Sequence, residues 1–159
     1  MPKPITPEAL EKDLQYILQG TPHHEIFASI CPPRPGLRVL EPGCGSGKFG
    51  IWYYLHGCHV TLLDIDPGVL EYARALLAKA GPPSATGGAQ TWSIGTLIGD
   101  IHKLAERFPH PSQHFDFVFN EGIAHHWPDT DPRRQGSIDQ MAAVTKPGGI
   151  VALMVSNAL

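Results

Sequence analysis

Hydrophobic and polar positions change rhythm once along this chain. In the first stretch, Leu10, Leu14, Ile17 and Leu18 recur at helical spacing. Thr6 suits the cap of that helix, Pro7 its first turn and Glu8 its dipole, and Gly20 ends it. Thr21-Pro22 repeats the start signal, which predicts a second helix through Phe27 and Ile30. Pro32, Pro33 and Pro35 then break the chain.

From residue 37 the pattern alternates between short apolar runs and helical spacing. Leu37 to Leu40 reads as a strand, and a helix follows from about Gly47 to His56. His59 to Leu63 is a second strand. Pro67 opens a helix through Leu70, Ala73, Leu76 and Leu77, closed by Gly81. Pro82 to Ala89 is a loop of turn residues. Ser93 to Ile98 is a third strand, followed by a short helix through Leu104, and Phe115 to Phe119 is a fourth strand. A helix near Ser137 to Thr145 leads through Lys146-Pro147-Gly148-Gly149 to a fifth strand, Ile150 to Val155. Strands alternating with helices predict an α/β fold: a doubly wound, mostly parallel sheet covered on both faces. The organisation expected is an N-terminal helical segment, 1–36, on a single α/β domain, 37–159.

Composition narrows the class. A chain of 159 residues with 42% hydrophobic residues can bury one sizeable core. The net charge is −3 and no basic run occurs, so the electrostatic footprint of a nucleic-acid binder is missing. Apolar runs are far shorter than a membrane span, and the start of the chain lacks a signal-peptide pattern. Cys31, Cys44 and Cys58 fit neither a disulfide framework nor a zinc site, which points to reduced thiols and a cytoplasmic protein.

The first strand runs directly into Glu41-Pro42-Gly43-Cys44-Gly45-Ser46-Gly47. Such a turn lies where doubly wound sheets bind ligands, outside the carboxyl ends of the strands. Glycines allow a tight turn and a close backbone approach, and the helix start offers free N–H groups. Gly45-Ser46-Gly47-Lys48-Phe49-Gly50 also matches the dinucleotide pattern G-x-G-x-x-G, which alone is weak. The carboxylate of Glu41 argues the other way: it would repel a pyrophosphate, yet can help hold an amine. A tight turn without a ligand is the plain alternative.

The run Val39 to Gly47 resembles the first motif of class I S-adenosylmethionine-dependent methyltransferases. Four more matches follow in that family's order: Leu63-Asp64-Ile65-Asp66-Pro67, Gly99-Asp100-Ile101, Phe115 to Gly122, and Thr145-Lys146-Pro147-Gly148-Gly149. The stretch from Ile123-Ala124-His125-His126-Trp127 to Val155-Ser156-Asn157 is closest to the small-molecule type of that class. The resemblance covers about residues 37 to 157 and implies S-adenosylmethionine as cofactor. It implies that Gly43, Gly45 and Gly47 wrap the methionine part and ribose, and that Glu41 orders the loop and the amine. Asp64 would accept from both ribose hydroxyls and Asp100 from the adenine amino group, with Ile65 and Ile101 packing near the ring. The backbone carbonyl of Asn120 would face the amine. Helix capping is the competing role for Asp64 and Asp100, although Asp66 suits a cap better than Asp64. Tyr16 could close the site from the first helix, with a core position the stronger expectation.

Methyl transfer from a sulfonium needs positioning more than activation, and a base only where the acceptor must lose a proton. His125 and His126, just past the fourth strand, are the candidate bases, with Asp129 a candidate to orient one of them. His23 and His24 could face the same cleft from the second helix. No metal-ligand spacing occurs, so no metal is expected. The partner expected is a small-molecule methyl acceptor. A non-catalytic S-adenosylmethionine-binding or regulatory module, and a nicotinamide-dependent oxidoreductase, are the competing functions.

The family usually continues with a further helix and two more strands beyond the fifth. Ile150 to Val155 is apolar on both alternating faces, as an interior strand of a parallel sheet is. The expectation is that a second copy, a partner chain or a further C-terminal part covers this edge.

Overall fold

The computed structural model describes residues 3–82, 92–128 and 130–155, apart from the side chain of His125. Five parallel strands form one sheet: β1 (Arg38–Pro42), β2 (His59–Asp64), β3 (Ile94–Ile98), β4 (Phe115–Glu121) and β5 (Thr145–Met154), in the order β3-β2-β1-β4-β5. Chain order reverses between β1 and β4, which opens a crevice at their carboxyl ends.

Successive residues of each strand feed opposite faces. Val39, Leu62 and Phe117 enter one core with Phe49 and Ile51 of α3 (Lys48–Leu55) and Leu70, Ala73 and Leu76 of α4 (Pro67–Ala80). Leu40, Leu63 and Val118 enter a second core. There they meet Leu104 of α5 (Leu104–Arg107) and Met141 of α6 (Pro132–Ala143). The N-terminal helices α1 (Pro7–Gln19) and α2 (Pro22–Ile30) bury Ile17 and Phe27 in the first core. Two-sided coverage explains why neighbouring residues such as Leu62 and Leu63, or Phe117 and Val118, are both apolar and both buried.

The boundaries differ from the sequence reading in informative places. β1 extends through Glu41 and Pro42, which pair with Leu62 and Leu63, so the turn proper starts at Gly43. α6 starts at Pro132, not near Ser137, because Asp131 accepts from the Arg133 N–H and caps it. The polar run Arg133-Arg134-Gln135 hid that first turn. Thr145 belongs to β5 and pairs with Phe115, whereas Ile150 pairs with Phe117, so the residues between bulge out of the ladder. Gly148, at φ +77°, supplies the left-handed turn within that bulge.

β5 stands at one edge of the sheet, and Ile150, Val151, Leu153 and Met154 are only half-buried there. The loop reading beyond Pro82, and the readings of Asp129, Ser156 and Asn157, lie outside the described residues. Cys31, Cys44 and Cys58 are buried free thiols, and no helix among the described residues is long and apolar enough to cross a membrane.

Candidate functional site

The glycine-rich turn is tied down to β2. The N–H groups of Gly43 and Cys44 both donate to the Leu63 carbonyl, at 2.6 and 3.1 Å. Gly43, Gly45 and Gly47 all have positive φ, a region that side chains rarely tolerate. A Cβ on Gly45 would meet nothing within 4 Å, so the backbone lies open there. A Cβ on Gly47 would come 2.7 Å from Leu62 Cδ1, so that glycine lets α3 start close against β2.

Asp64 closes the turn from the end of β2. Its Oδ2 accepts from the Gly45 N–H at 3.0 Å and its Oδ1 from the Asp66 N–H at 3.0 Å. The capping role at α4 belongs to Asp66, whose Oδ1 accepts from the Gly68 N–H at 2.8 Å. Asp100 does act as a cap: its Oδ1 accepts from the His102 N–H at 2.9 Å. That hydrogen bond, opposed by burial and aided by the His102 side chain and nearby charges, holds Asp100 below the usual carboxylate range.

Beneath the turn lies Glu41, 2% exposed, with Oε2 accepting from the Gly50 N–H at 2.8 Å. Burial pushes its pKa up to about 8; the Gly50 N–H pulls it back, and the charges of Glu121 and Asp64 raise it further. Asn120 is also fully buried. Its Nδ2 donates to the Pro42 carbonyl at 2.6 Å and its Oδ1 accepts from the Ile123 N–H at 2.8 Å, which stitches β1 to β4 at the crevice.

A cleft of about 730 Å³ opens over these carboxyl ends. Gly43, Gly45, Asp64, Ile65, Asp100 and Ile101 line one side of it, so six of the expected cofactor residues converge. Glu41, Gly47 and Asn120 sit behind that wall. Ile65 is 69% exposed, an apolar side chain left without a protein neighbour over it at the cleft. The opposite side is formed by Glu121, Ile123, His126, Trp127 and Arg133, with His102 beside Asp100. His126 is exposed on the cleft, in the short turn Ala124–His126 that also holds the His125 backbone.

The N-terminal candidates lie elsewhere. His24 is buried among Tyr16, Phe49 and Trp52, and its Nδ1 bonds to the Thr21 N–H at the start of α2. Burial lowers its pKa to about 4, so it is a neutral core group. Tyr16 packs on the core with the Lys48 ammonium 4.2 Å from its ring centroid. Neither residue, nor His23, lines the cleft.

A family model described as a methyltransferase domain matches residues 40–153, from within β1 to within β5. The chain belongs to the class I, S-adenosylmethionine-dependent methyltransferase family. It is 31% identical over 135 residues to a malonyl-acyl-carrier-protein O-methyltransferase of Pectobacterium atrosepticum, covering 85% of this chain and 44% of that relative. It is 33% identical over 121 residues to the chloroplastic 2-methyl-6-phytyl-1,4-hydroquinone methyltransferase 1 of rice, Oryza sativa, covering 75% and 31%. Among solved structures, a Pyrococcus horikoshii protein superposes with a TM-score of 0.65 at 18% identity, covering 96% of this chain and 57% of that one. A glycopeptide N-methyltransferase complexed with S-adenosylmethionine gives 0.58 at 22% identity, covering 82% and 52%. The solved structures share the fold. The chain spans less than half the length of the curated relatives it matches.

The residues of this methyltransferase domain fit the family's cofactor. The cleft offers two carboxylates, Asp64 and Asp100, as acceptors for hydroxyl and amino donors. Ile65 and Ile101 offer apolar surface between them, and Gly45 leaves room for close approach. Among the described residues no group of His, Cys, Asp and Glu side chains is placed to hold a metal. Sequence reasoning missed Glu121, Trp127, Arg133 and His102 as wall residues. Glu121 was detectable as the last residue of the fourth strand, whereas Arg133 reaches the cleft only through the placement of α6.

Proposed function

We propose that this chain is the cofactor-binding, catalytic domain of an enzyme that transfers a methyl group from S-adenosylmethionine to a small-molecule acceptor. The observation that carries this reading is the acidic cleft, lined by Asp64, Asp100 and Glu121. S-adenosylmethionine brings a sulfonium and an ammonium against one carboxylate, so its net charge is positive. A dinucleotide would bring two phosphates into the same field. The acid lining therefore supports the methyl donor over nicotinamide cofactors.

Each residue has a task in this reading. Gly43 and Gly45 let the backbone approach the methionine part and the ribose, and Gly47 sets the start of α3 beneath them. Asp64 takes the ribose hydroxyls, and Asp100 takes the adenine amino group with Ile65 and Ile101 against the ring. Glu41 orders the turn, and the Asn120 carbonyl faces the amine. Bound there, the cofactor supplies a methyl group on a positively charged sulfur, already an electrophile. The chain's own work is to hold the acceptor in line and keep water out. Where the acceptor must lose a proton, His126 on the cleft wall takes it, with His125 as its alternative in the same turn. The relatives' names, one for a malonyl group on an acyl-carrier protein and one for a hydroquinone, support an acceptor that is a small organic group, free or carried. The buried free thiols support a cytoplasmic setting.

Calorimetry with S-adenosylmethionine, S-adenosylhomocysteine and NAD tests the cofactor. Binding of the first two without NAD is expected; NAD binding without S-adenosylhomocysteine binding overturns the reading. Transfer of labelled methyl to any small acceptor separates an enzyme from a silent binding module.

A further inference from the structure

His102 is held at both ring nitrogens. Its Nδ1 lies 3.1 Å from Asp100 Oδ1, the oxygen that also accepts the His102 backbone N–H. Its Nε2 lies 3.0 Å from the carbonyl oxygen of Arg133, in the first turn of α6. The ring meets Trp127 edge-on, with centroids 5.1 Å apart. One imidazole thus touches the cofactor-side carboxylate, the acceptor-side helix and the aromatic wall of the cleft.

Both partners of the ring can only accept. An ionised carboxylate and a backbone carbonyl have no proton to give. Each contact is therefore a hydrogen bond only when the ring nitrogen facing it carries a proton. Asp100 is held below the usual carboxylate range, chiefly by the His102 backbone N–H. The other charged groups around the bridge are Lys103, beside Asp100, and Arg133, whose guanidinium is bound by Asp131 at 2.6 Å. Both His102 contacts go to Oδ1 of Asp100, so a ligand donor can take Oδ2 without displacing them.

We propose that His102 is a positioning residue that couples occupation of the cofactor side of the cleft to the placement of α6 and Trp127 on the acceptor side. This rests on the cofactor reading of Asp100 given above. A ligand that fixes the Asp100 carboxylate fixes the imidazole, and the imidazole holds the first turn of α6 through Arg133. The acceptor wall is then set once the methyl donor is in place, an order of assembly that keeps the reactive cleft incomplete without it.

Hydrogen exchange of α6, with calorimetry of S-adenosylhomocysteine, tests the coupling on the native chain and on His102→Ala and His102→Phe. The Phe variant keeps a ring against Trp127 and removes both donors, so it separates hydrogen bonding from packing. The native chain is expected to bind and, on binding, to slow exchange in the first turn of α6. Both variants are expected to bind about tenfold more weakly, the scale of one hydrogen bond to a charged group, and to lose the slowing. A His102→Phe chain with native affinity and native slowing overturns the proposal. So does a native chain that binds but leaves α6 exchange unchanged. Absence of binding by the native chain overturns the cofactor reading of the cleft and the coupling with it, a result distinct from the other two.

Discussion

Asp64 Oδ2 accepts the Gly45 backbone N–H at 3.0 Å, so the last residue of β2 sets the height of the glycine-rich turn. The same carboxylate lines the cleft and has lone pairs left for ligand hydroxyls. Asp64→Ala is expected to weaken S-adenosylhomocysteine binding by roughly 1–3 kcal/mol, through lost ligand hydrogen bonds and a looser turn. Calorimetry measures this directly, and an unchanged dissociation constant would remove Asp64 from the site.

Gly50 makes a second close approach, one layer below. A Cβ there would sit 2.4 Å from Leu62 Cδ2 and 2.7 Å from Glu41 Oε2. Both neighbours are buried, so neither moves aside without cost. Gly50→Ala is expected to lower stability by about 1–3 kcal/mol despite the better helix propensity of alanine. Denaturant melts read the change; a stabilised variant would mean that α3 shifts freely.

The fold was legible because coverage on both faces lets parallel strands carry apolar residues on both sides, which Phe117 to Phe119 and Ile150 to Val155 display. The cleft wall of Asp64, Ile65, Asp100 and Ile101 was legible for a related reason. Topology puts its residues at strand ends: Asp64 is the last residue of β2 and Asp100 lies two residues past β3. The opposite wall was not. Arg133 and Trp127 come from α6 and from the loop before it, and nothing local to their sequence shows which way they face. Asn120 shows the limit at one residue. Its backbone was assigned a ligand, yet what the structure reveals is a side chain joining Pro42 to Ile123.

That side chain gives a third prediction. Asn120→Ala leaves the Pro42 carbonyl and the Ile123 N–H without their partner in a fully buried place. The expected loss is about 1–3 kcal/mol of stability. Asn120→Asp is expected to be as damaging, because a carboxylate oxygen would face the Pro42 carbonyl. Thermal melts of the two variants check this, and a native midpoint for Asn120→Ala would show that water replaces the amide.

Glu41 predicts how stability changes with pH. Its folded pKa, about 8, lies above its ordinary value of 4.5, so the unfolded state ionises it first. Its contribution to stability is complete below about 4.5 and is lost as pH rises through about 8. Glu41→Gln keeps an acceptor for the Gly50 N–H and cannot ionise. The native chain is expected to lose stability relative to this variant as pH rises across that window. Parallel stability curves would show that Glu41 is not the group responsible.

Asp13 acts in the opposite direction. Burial opposes its ionisation, but Lys3 Nζ at 2.9 Å and Tyr72 Oη at 2.8 Å donate to it, and Lys48 adds charge at 3.9 Å. The balance lowers its pKa below the ordinary 3.8, so its contribution is present above that value and lost as pH falls through the folded one. Asp13→Asn is expected to cost about 2 kcal/mol at neutral pH. That is less than for a fully buried pair, because the Lys3 side chain is 52% exposed. The variant should also flatten the acid limb of the stability curve, as Glu41→Gln flattens the limb from about 4.5 to 8. The two effects meet at Lys48, which opens α3 right after Gly47 and carries the α1 ion pair to the cofactor turn. Asp13→Asn is therefore expected to weaken S-adenosylhomocysteine binding slightly. If Asp13→Asn leaves both the acid limb and the affinity unchanged, α1 is held by its apolar face alone and the ion pair contributes nothing to the turn.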